Sequence, residues 1–365
     1  MGRVRYGLIG SAFVATIHAE SIARVAGAEV VAVASKTEVH VREFAAKHEI
    51  PNYFTDYRKM LEMKELDAVV IGVPNDLHCE FTEAAAQAGK HVICEKPLCT
   101  TLDEADRMIS ACNRAGVLLL YAEELLFAPK YVRAKQLVDD GALGNVFLIK
   151  QSEKHSGPHT PWFWDVSRSG GGAMMDMGCH GIEYARWVLG RPPVKSVYAH
   201  LGTYVWKERT KGEDNSILIV EFEGGATAMI EDSWAKFGGM EDNTEIYGSS
   251  GSAYADLLRG NSILTYSQSG YGYAVEKADS TKGWTFTMFE EIFNSGYPSE
   301  FEHFTECIAD GIEPRVTGED GRAVLEVLFA GYQAAGTGRK VDLPFTPPAG
   351  TKPVDLWLGA SANAR

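Results

Sequence analysis

Val4-Arg5-Tyr6-Gly7-Leu8-Ile9-Gly10-Ser11-Ala12-Phe13-Val14-Ala15 is the stretch that decides the fold. Val4–Ile9 reads as an apolar strand, and a helical pattern follows from about Ala12 to Ala26. The turn between them reads as G-x-G-x-x-(G/A) with Ala12 in the middle position. In such a turn, backbone amides approach a pyrophosphate seated at the helix N-terminus. Gly10, Ala12, Phe13 and Val14 are therefore candidate dinucleotide contacts. The Ala12 methyl stands where glycine is usual, so the turn alone also fits a plain strand–turn–helix.

The alternation continues outward from this point. Strands are expected at Val30–Ala34, Asp67–Val73, His91–Cys94 and Val117–Tyr121, with helices at Glu38–His48, Leu77–Ala88 and Leu102–Ala115. Strands that are apolar throughout, separated by helices, imply a parallel sheet covered on both faces. The second strand ends in Ala34-Ser35-Lys36-Thr37, with no carboxylate to accept from ribose hydroxyls. Ser35 and Lys36 suit a 2′-phosphate instead, which favours NADP(H) over NAD(H). The plainer reading of Lys36 is a solvated lysine. The third strand runs into Pro74-Asn75-Asp76-Leu77-His78, at the sheet end where ligands of open α/β sheets bind. Pro74, Asn75 and His78 are candidates there, although Asn75 also suits a helix N-cap and His78 either faces the cofactor or caps.

The character of the chain changes after about Glu123. A helix at Phe127–Asp140 precedes longer, alternating strands at Val146–Ser152, Val194–Val205, Ser216–Phe222, Ala226–Asp232 and Glu245–Tyr247. Gly224-Gly225 signals a hairpin, and helices return at Glu300–Asp310 and Glu319–Ala335. These features predict α/β architecture in two domains, 1–123 and 124–365, the second built on a large, open, mostly antiparallel sheet.

Lys96 follows the apolar run His91–Cys94 in Glu95-Lys96-Pro97-Leu98, which pins it to a strand end. Asp176 and His180 stand four residues apart, on one face of a helix. A lysine, an imidazole and a carboxylate together can move a proton on and off a hydroxyl group. Between them the chain carries His155, His159, Trp162, Trp164 and Arg168. Indole faces cover the C–H faces of sugar rings, while His and Arg bind hydroxyls; the competing reading buries both indoles in the domain core. His155-x3-His159 and Asp176-x3-His180 have metal-ligand spacing. Hydride transfer to a nicotinamide needs no metal, and helical spacing means little in a Gly/Pro-rich loop, so no metal is expected.

Composition narrows the classes further. A net charge of −14 opposes nucleic acid and anionic membranes as partners. Apolar runs fall short of the ~20 residues that span a bilayer. His18 and Glu20 interrupt the apolar stretch that Arg3 and Arg5 introduce, which argues against a signal peptide. Tyr6 replaces the Ser or Thr that acylation of Gly2 would want. Six cysteines without a CxxC pair, and no N-glycosylation sequon, suggest reduced thiols in the cytoplasm.

Gly10–Ala15, Pro74-Asn75-x-x-His78, Glu95-Lys96-Pro97-Leu98, Gly141-Ala142-Leu143-Gly144, Asp176-x3-His180 and Gly318-Glu319-Asp320-Gly321 together resemble the Gfo/Idh/MocA oxidoreductases, the glucose–fructose oxidoreductase and inositol dehydrogenase family. The resemblance runs over nearly the whole chain. It implies a Rossmann domain followed by an α/β domain whose sheet face packs in oligomers, as a dimer or tetramer, with the active site between the domains. It also implies roles: Lys96 binds the substrate hydroxyl and assists proton transfer, His180 is the general acid–base, Asp176 orients or relays, and Glu95 and Asn75 border the cofactor. A cis Lys96–Pro97 bond is implied too. The expected activity is an NAD(P)-dependent dehydrogenase or reductase acting on a sugar, cyclic polyol or glycoside, with pyranoside carbon 3 as one position. A glycosidase or lyase oxidising transiently with tightly held NAD, and a non-catalytic cofactor sensor, are the rival readings.

Overall fold

The structure is a computed structural model and describes residues 3–258, 262–267, 283–288 and 291–363. Gly2, the residue an acyl group would occupy, lies outside them. The chain divides into two compact units, Met1–Glu124 with Gly296–Leu325, and Leu125–Ser295 with Glu326–Arg365.

The first unit begins with β1 (Val4–Ile9), α1 (Phe13–Ile22), β2 (Ala28–Ala34), α2 (Glu38–Lys47), β3 (Asn52–Phe54), α3 (Tyr57–Leu61) and β4 (Ala68–Ile71). It continues with α4 (His78–Gln87), β5 (His91–Glu95), α5 (Leu102–Ala115) and β6 (Leu119–Ala122). The sheet order is β3-β2-β1-β4-β5-β6, and every pair is parallel. Leu8, Val33, Val70 and Ile93 form its dry interior. The order reverses between β1 and β4, so the ligand crevice of such a sheet opens beyond their carboxyl ends. Sequence fixes α5 sharply. Thr101 and Glu104 form a reciprocal capping box at its start, and Gly116 closes it in the left-handed conformation. The sequence reading missed β3 and α3. β3 is a three-residue edge strand with an exposed start, so it carries no apolar run to notice.

The second unit contains α6 (Pro129–Asp139), β7 (Val146–Lys154), α7 (Val166–Ser169), α8 (Cys179–Val188), β8 (Val194–Gly202), β9 (Asn215–Phe222) and β10 (Thr227–Ser233). Then come β11 (Glu241–Gly248), β12 (Gly251–Asp256), a separate antiparallel ribbon of β13 (Ser262–Ser267) and β14 (Gly283–Met288), and α9 (Glu291–Asn294). The chain ends with α10 (Tyr297–Asp310), α11 (Gly318–Thr337), β15 (Val341–Asp342) and α12 (Pro353–Asn363). The large sheet has the order β12-β11-β7-β10-β9-β8-β15. Only β7 and β10 pair in parallel; its other pairs are antiparallel. Alternation decides its faces. Ile149, Ala228, Ile230, Leu218 and Val220 are buried on one side, and Lys150, Met229, Ile219 and Tyr198 are at least partly exposed on the other. The β9–β10 hairpin turns at Gly224 and Gly225, both at positive φ.

The sequence predicts a second domain over 124–365, whereas Gly296–Leu325 groups with the first compact unit. Phe301 and Phe304 of α10 are fully buried. Phe301 meets the ring of Tyr6 edge-on at 6.0 Å, and the Tyr6 hydroxyl lies 2.9 Å from Thr305 Oγ1. An amphipathic helix announces a buried face; it does not announce which sheet that face will cover.

Candidate active site

The turn after β1 passes so close to the loop after β4 that Gly10 has no alternative. Its φ is +120°, and a Cβ there would sit 2.2 Å from the Gly72 carbonyl oxygen. Ala12, by contrast, has φ −94° and is exposed, so its methyl is no strain on the turn. Phe13 is 41% exposed and Val14 half-buried. No side chain caps α1 and no acidic residue sits in its first turn, which leaves its N-terminus suited to a phosphate. Ser35 is half-buried and Lys36 exposed just beyond β2. Residues 10–14, 35–36, 73–78 and 95–96 therefore gather at the carboxyl ends of four adjacent strands, β2, β1, β4 and β5. These positions fit a nicotinamide dinucleotide. The carboxylate usual at the end of the second strand is missing.

Pro74 precedes a short 3-10 turn, Asn75–Leu77, in which Asn75 is buried. His78 does something other than cap. It is fully buried, with Nδ1 3.1 Å from the Pro97 oxygen and 3.2 Å from that of Leu98, and Nε2 2.9 Å from the Val73 oxygen. Burial lowers its pKa. His78 thus sits between the loops after β4 and β5 with its ring nitrogens facing backbone carbonyl oxygens of both, and the neutral ring that burial favours donates from one nitrogen.

Lys96 is half-buried and begins the cis Lys96–Pro97 bond. Its neighbour Glu95 is buried and pairs with His18, which the sequence reading had passed over; Nε2 to Oε1 is 2.8 Å. The other oxygen of Glu95 accepts from the Lys96 amide at 3.1 Å. Burial alone would raise the Glu95 pKa, but the His18 hydrogen bond and the charges of His18 and Lys96 outweigh it and hold it low. Removing His18 would strand a buried carboxylate, a change worth about 3–5 kcal/mol in comparable pairs.

In the second unit, His155 and Trp234 leave the adjacent parallel strands β7 and β10 side by side, because Lys154 and Ser233 are register partners. Both converge on Asp176. Trp234 Nε1 donates to Asp176 Oδ2 at 3.0 Å, and His155 Nε2 lies 3.9 Å from the same oxygen. Asp176 sits in a π-helical turn, Met174–Gly178, which runs directly into α8. His180, buried, is in the first turn of α8. The sequence reading expected a plain α-helix here. Glu213 shapes the entry to the wide turn by accepting from the amides of Gly172 and Met174 and from the Tyr332 hydroxyl. The other candidates scatter. His159 is exposed and His155 buried. Trp162 stacks on Phe163 at 3.8 Å, and Trp164 packs against buried Trp234; neither Trp162 nor Trp164 is itself fully buried. Arg168 lies in the last turn of the short α7, half-buried.

Glu123, just past β6, was also missed. Burial, against the opposing charge of Lys96 and with that of Glu95, raises its pKa from 4.5 to about 8. Unfolded, the carboxyl releases its proton near 4.5; folded, it keeps the proton to about 8. In that window the folded chain holds the extra proton, so stability falls as pH rises, by at most about 1.4 kcal/mol per pH unit for one group. Glu123→Gln should therefore flatten the decline in urea midpoint between pH 5 and 8. Burial of Glu213, raised to about 7, leaves a residual slope of the same sign. An unchanged profile would remove Glu123 as its source.

Residues 4–123 match the family described as an oxidoreductase family with an NAD-binding Rossmann fold, and residues 131–254 match the GFO/IDH/MocA C-terminal domain. The D-xylose 1-dehydrogenase (NADP(+)) 2 of Haloferax volcanii is 30% identical over 340 residues, 93% of this chain and 99% of that protein. The myo-inositol 2-dehydrogenase of Thermotoga maritima is 28% identical over 342 residues, 93% and 98% of the two chains. Among solved structures, GenD2 from gentamicin A biosynthesis, in complex with NAD, superposes with a TM-score of 0.88 at 30% identity, covering 94% of this chain and 97% of its own.

Proposed function

Because the chain belongs to the Gfo/Idh/MocA oxidoreductase family, we propose that it oxidises a secondary alcohol of a sugar, cyclic polyol or glycoside, or reduces the corresponding ketone. The bound nicotinamide supplies the hydride acceptor or donor. Lys96 binds the substrate hydroxyl and lowers the cost of its deprotonation. His180 takes the hydroxyl proton as the carbon loses hydride, and returns it in the reductive direction. Asp176, fixed by the Trp234 indole, orients the imidazole. Gly10, Ala12, Phe13, Val14, Pro74, Asn75 and Glu95 border the dinucleotide. The observation that carries this reading is Lys96 at the carboxyl end of β5, backed by the buried Glu95–His18 pair.

The test is a panel of sugars, inositols and glycosides offered with NAD or NADP while absorbance of the reduced nicotinamide is followed. Net accumulation of reduced cofactor is expected. Conversion of a glycoside without it would replace this reading by transient oxidation on a retained cofactor.

For the cofactor, Ser35 and Lys36 favour NADP. Lys36→Ala should raise the KM for NADP about tenfold or more, the worth of a charge-assisted hydrogen bond, and leave that for NAD nearly unchanged. Equal effects, or a native preference for NAD, would return Lys36 to the solvent. The cytoplasm is the proposed setting, supported by six buried cysteines that form no disulfide among the described residues. The open sheet face is the proposed homo-oligomer surface. Tyr254, Glu245, Lys150, Met229, Ile219 and Tyr198 cross it as a register row of mixed apolar and charged groups.

A further inference from the structure

Gly171 and Gly172 stand at the entry to the turn that carries Asp176, and neither has room for a side chain. A Cβ on Gly172 would lie 1.8 Å from the Glu213 carbonyl oxygen, and one on Gly171 would lie 2.0 Å from Tyr332 Oη. The reason is a clamp built on Glu213, in the link between β8 and β9. Its Oε1 accepts from the amides of Gly172 and Met174 at 3.1 and 2.9 Å, and from the Tyr332 hydroxyl at 2.8 Å. Its backbone oxygen accepts from the Ala173 amide at 3.0 Å. Three consecutive amides that the start of a helix would leave unsatisfied thus end on one residue, 41 positions beyond Gly172.

Two further elements bring titratable groups to the clamp, Tyr332 from α11 and Asp232 from β10, and both are buried like Glu213 itself. Asp232 accepts from Ser216 Oγ at 2.8 Å, and a Cβ on Gly178 would lie 3.0 Å from its Oδ2. The π-helical turn therefore runs from Glu213 at its start to Asp232 at its end, with Asp176 held by the Trp234 indole between them. Burial, with the Glu213 charge adding to it, pushes the Tyr332 hydroxyl well up, so it stays a donor. Burial also pushes Asp232 well above the usual carboxylate range, with the charges of Glu213 and Asp176 adding. For Glu213, burial works against the Tyr332, Met174 and Gly172 donors and lifts the carboxyl to about 7. Glu213 thus exchanges its proton near neutrality.

We propose that Glu213 is a positioning residue: as a carboxylate it fixes the entry of the π-helical turn, and through that turn the setting of Asp176 and His180. With three donors already on Oε1, a proton settles on Oε2, which faces the Gly172 amide at 3.2 Å and then becomes a poorer acceptor. The carboxylate accepts at both oxygens, and its charge-assisted hydrogen bonds are about twice as strong as neutral ones. The inference rests on the oxidation proposed above.

The test compares the cofactor-bound enzyme with Glu213→Gln, which holds the clamp in its neutral form, from about pH 6 to about pH 9. The pH dependence of His180 is common to both and cancels in the ratio of their kcat values. That ratio should rise from about 1 near pH 6 to about 3–10 near pH 9, the worth of charge assistance over a neutral hydrogen bond, with KM and dinucleotide affinity unchanged. Tyr332→Phe is the second variant. It keeps the carboxylate but removes one donor to it, so its own transition, measured against Glu213→Gln, should move to higher pH. Hydrogen exchange over residues 170–178 reads the clamp without turnover. Exchange should be faster in Glu213→Gln than in the wild type near pH 8, and equal near pH 6. A substrate panel on which nothing is oxidised, with that exchange difference intact, sinks the reaction and leaves the clamp standing. A kcat ratio flat across pH, a loss that follows the urea midpoint at every pH, or equal exchange near pH 8 would each overturn Glu213 as a positioning residue.

Discussion

Lys96→Met leaves the dinucleotide bound and lowers turnover by about 10²–10⁴-fold, the usual effect of losing one acid–base partner. The expectation follows from where the side chain starts. Lys96 begins beyond β5, and its backbone is fixed through Glu95, whose two oxygens serve His18 and the Lys96 amide. The turn suited to the phosphates follows β1 instead. Methionine keeps the length and apolar stem of lysine, so the strand end should hold. Cofactor binding by fluorescence titration, set beside kcat, separates the two roles. Near-normal turnover would end the assignment, and weakened dinucleotide binding with unchanged kcat would make Lys96 a cofactor ligand.

The second large effect is expected at His180. Oxidising an alcohol expels a hydride and a proton from the same H–C–O–H unit, so a base must take the proton as the carbonyl forms. An imidazole titrates near pH ~6.5 in water, which suits that work around neutrality. His180→Ala should depress kcat by a factor similar to that for Lys96 and erase one limb of the pH–rate profile. Asp176→Asn should slow the enzyme less, since asparagine can still accept from the Trp234 indole while losing the charge. Retention of both rate and profile in His180→Ala would move the proton to Lys96 alone.

Much of this was legible in the sequence where local chemistry decides structure. Val4–Ile9 was bounded correctly because an apolar run stops at an obligatory glycine. Leu102–Ala115 was bounded correctly because a capping box and a left-handed glycine mark its ends. Lys96, Asp176 and His180 are proposed from residue type and spacing. What escaped depends on partners far along the chain. The 18–95, 213–332 and 176–234 hydrogen bonds join segments whose meeting no local pattern encodes. Glu123 looks like any strand-end acid until burial changes its protonation. The return of Gly296–Leu325 to the first unit is of the same kind, because its helix is amphipathic wherever it packs.

The π-helical turn at Met174–Gly178 makes segment length as consequential as residue identity. A π turn holds one residue more than the α-helical winding around it. Asp176 therefore reaches its indole partner only while that residue is present. Losing the extra residue would let the turn relax to ordinary α winding with the helix beyond it in register, while the side chains inside the turn, Asp176 among them, shift away from their present partners. A library that varies side chains here samples catalysts; one that varies length by a single codon samples broken ones.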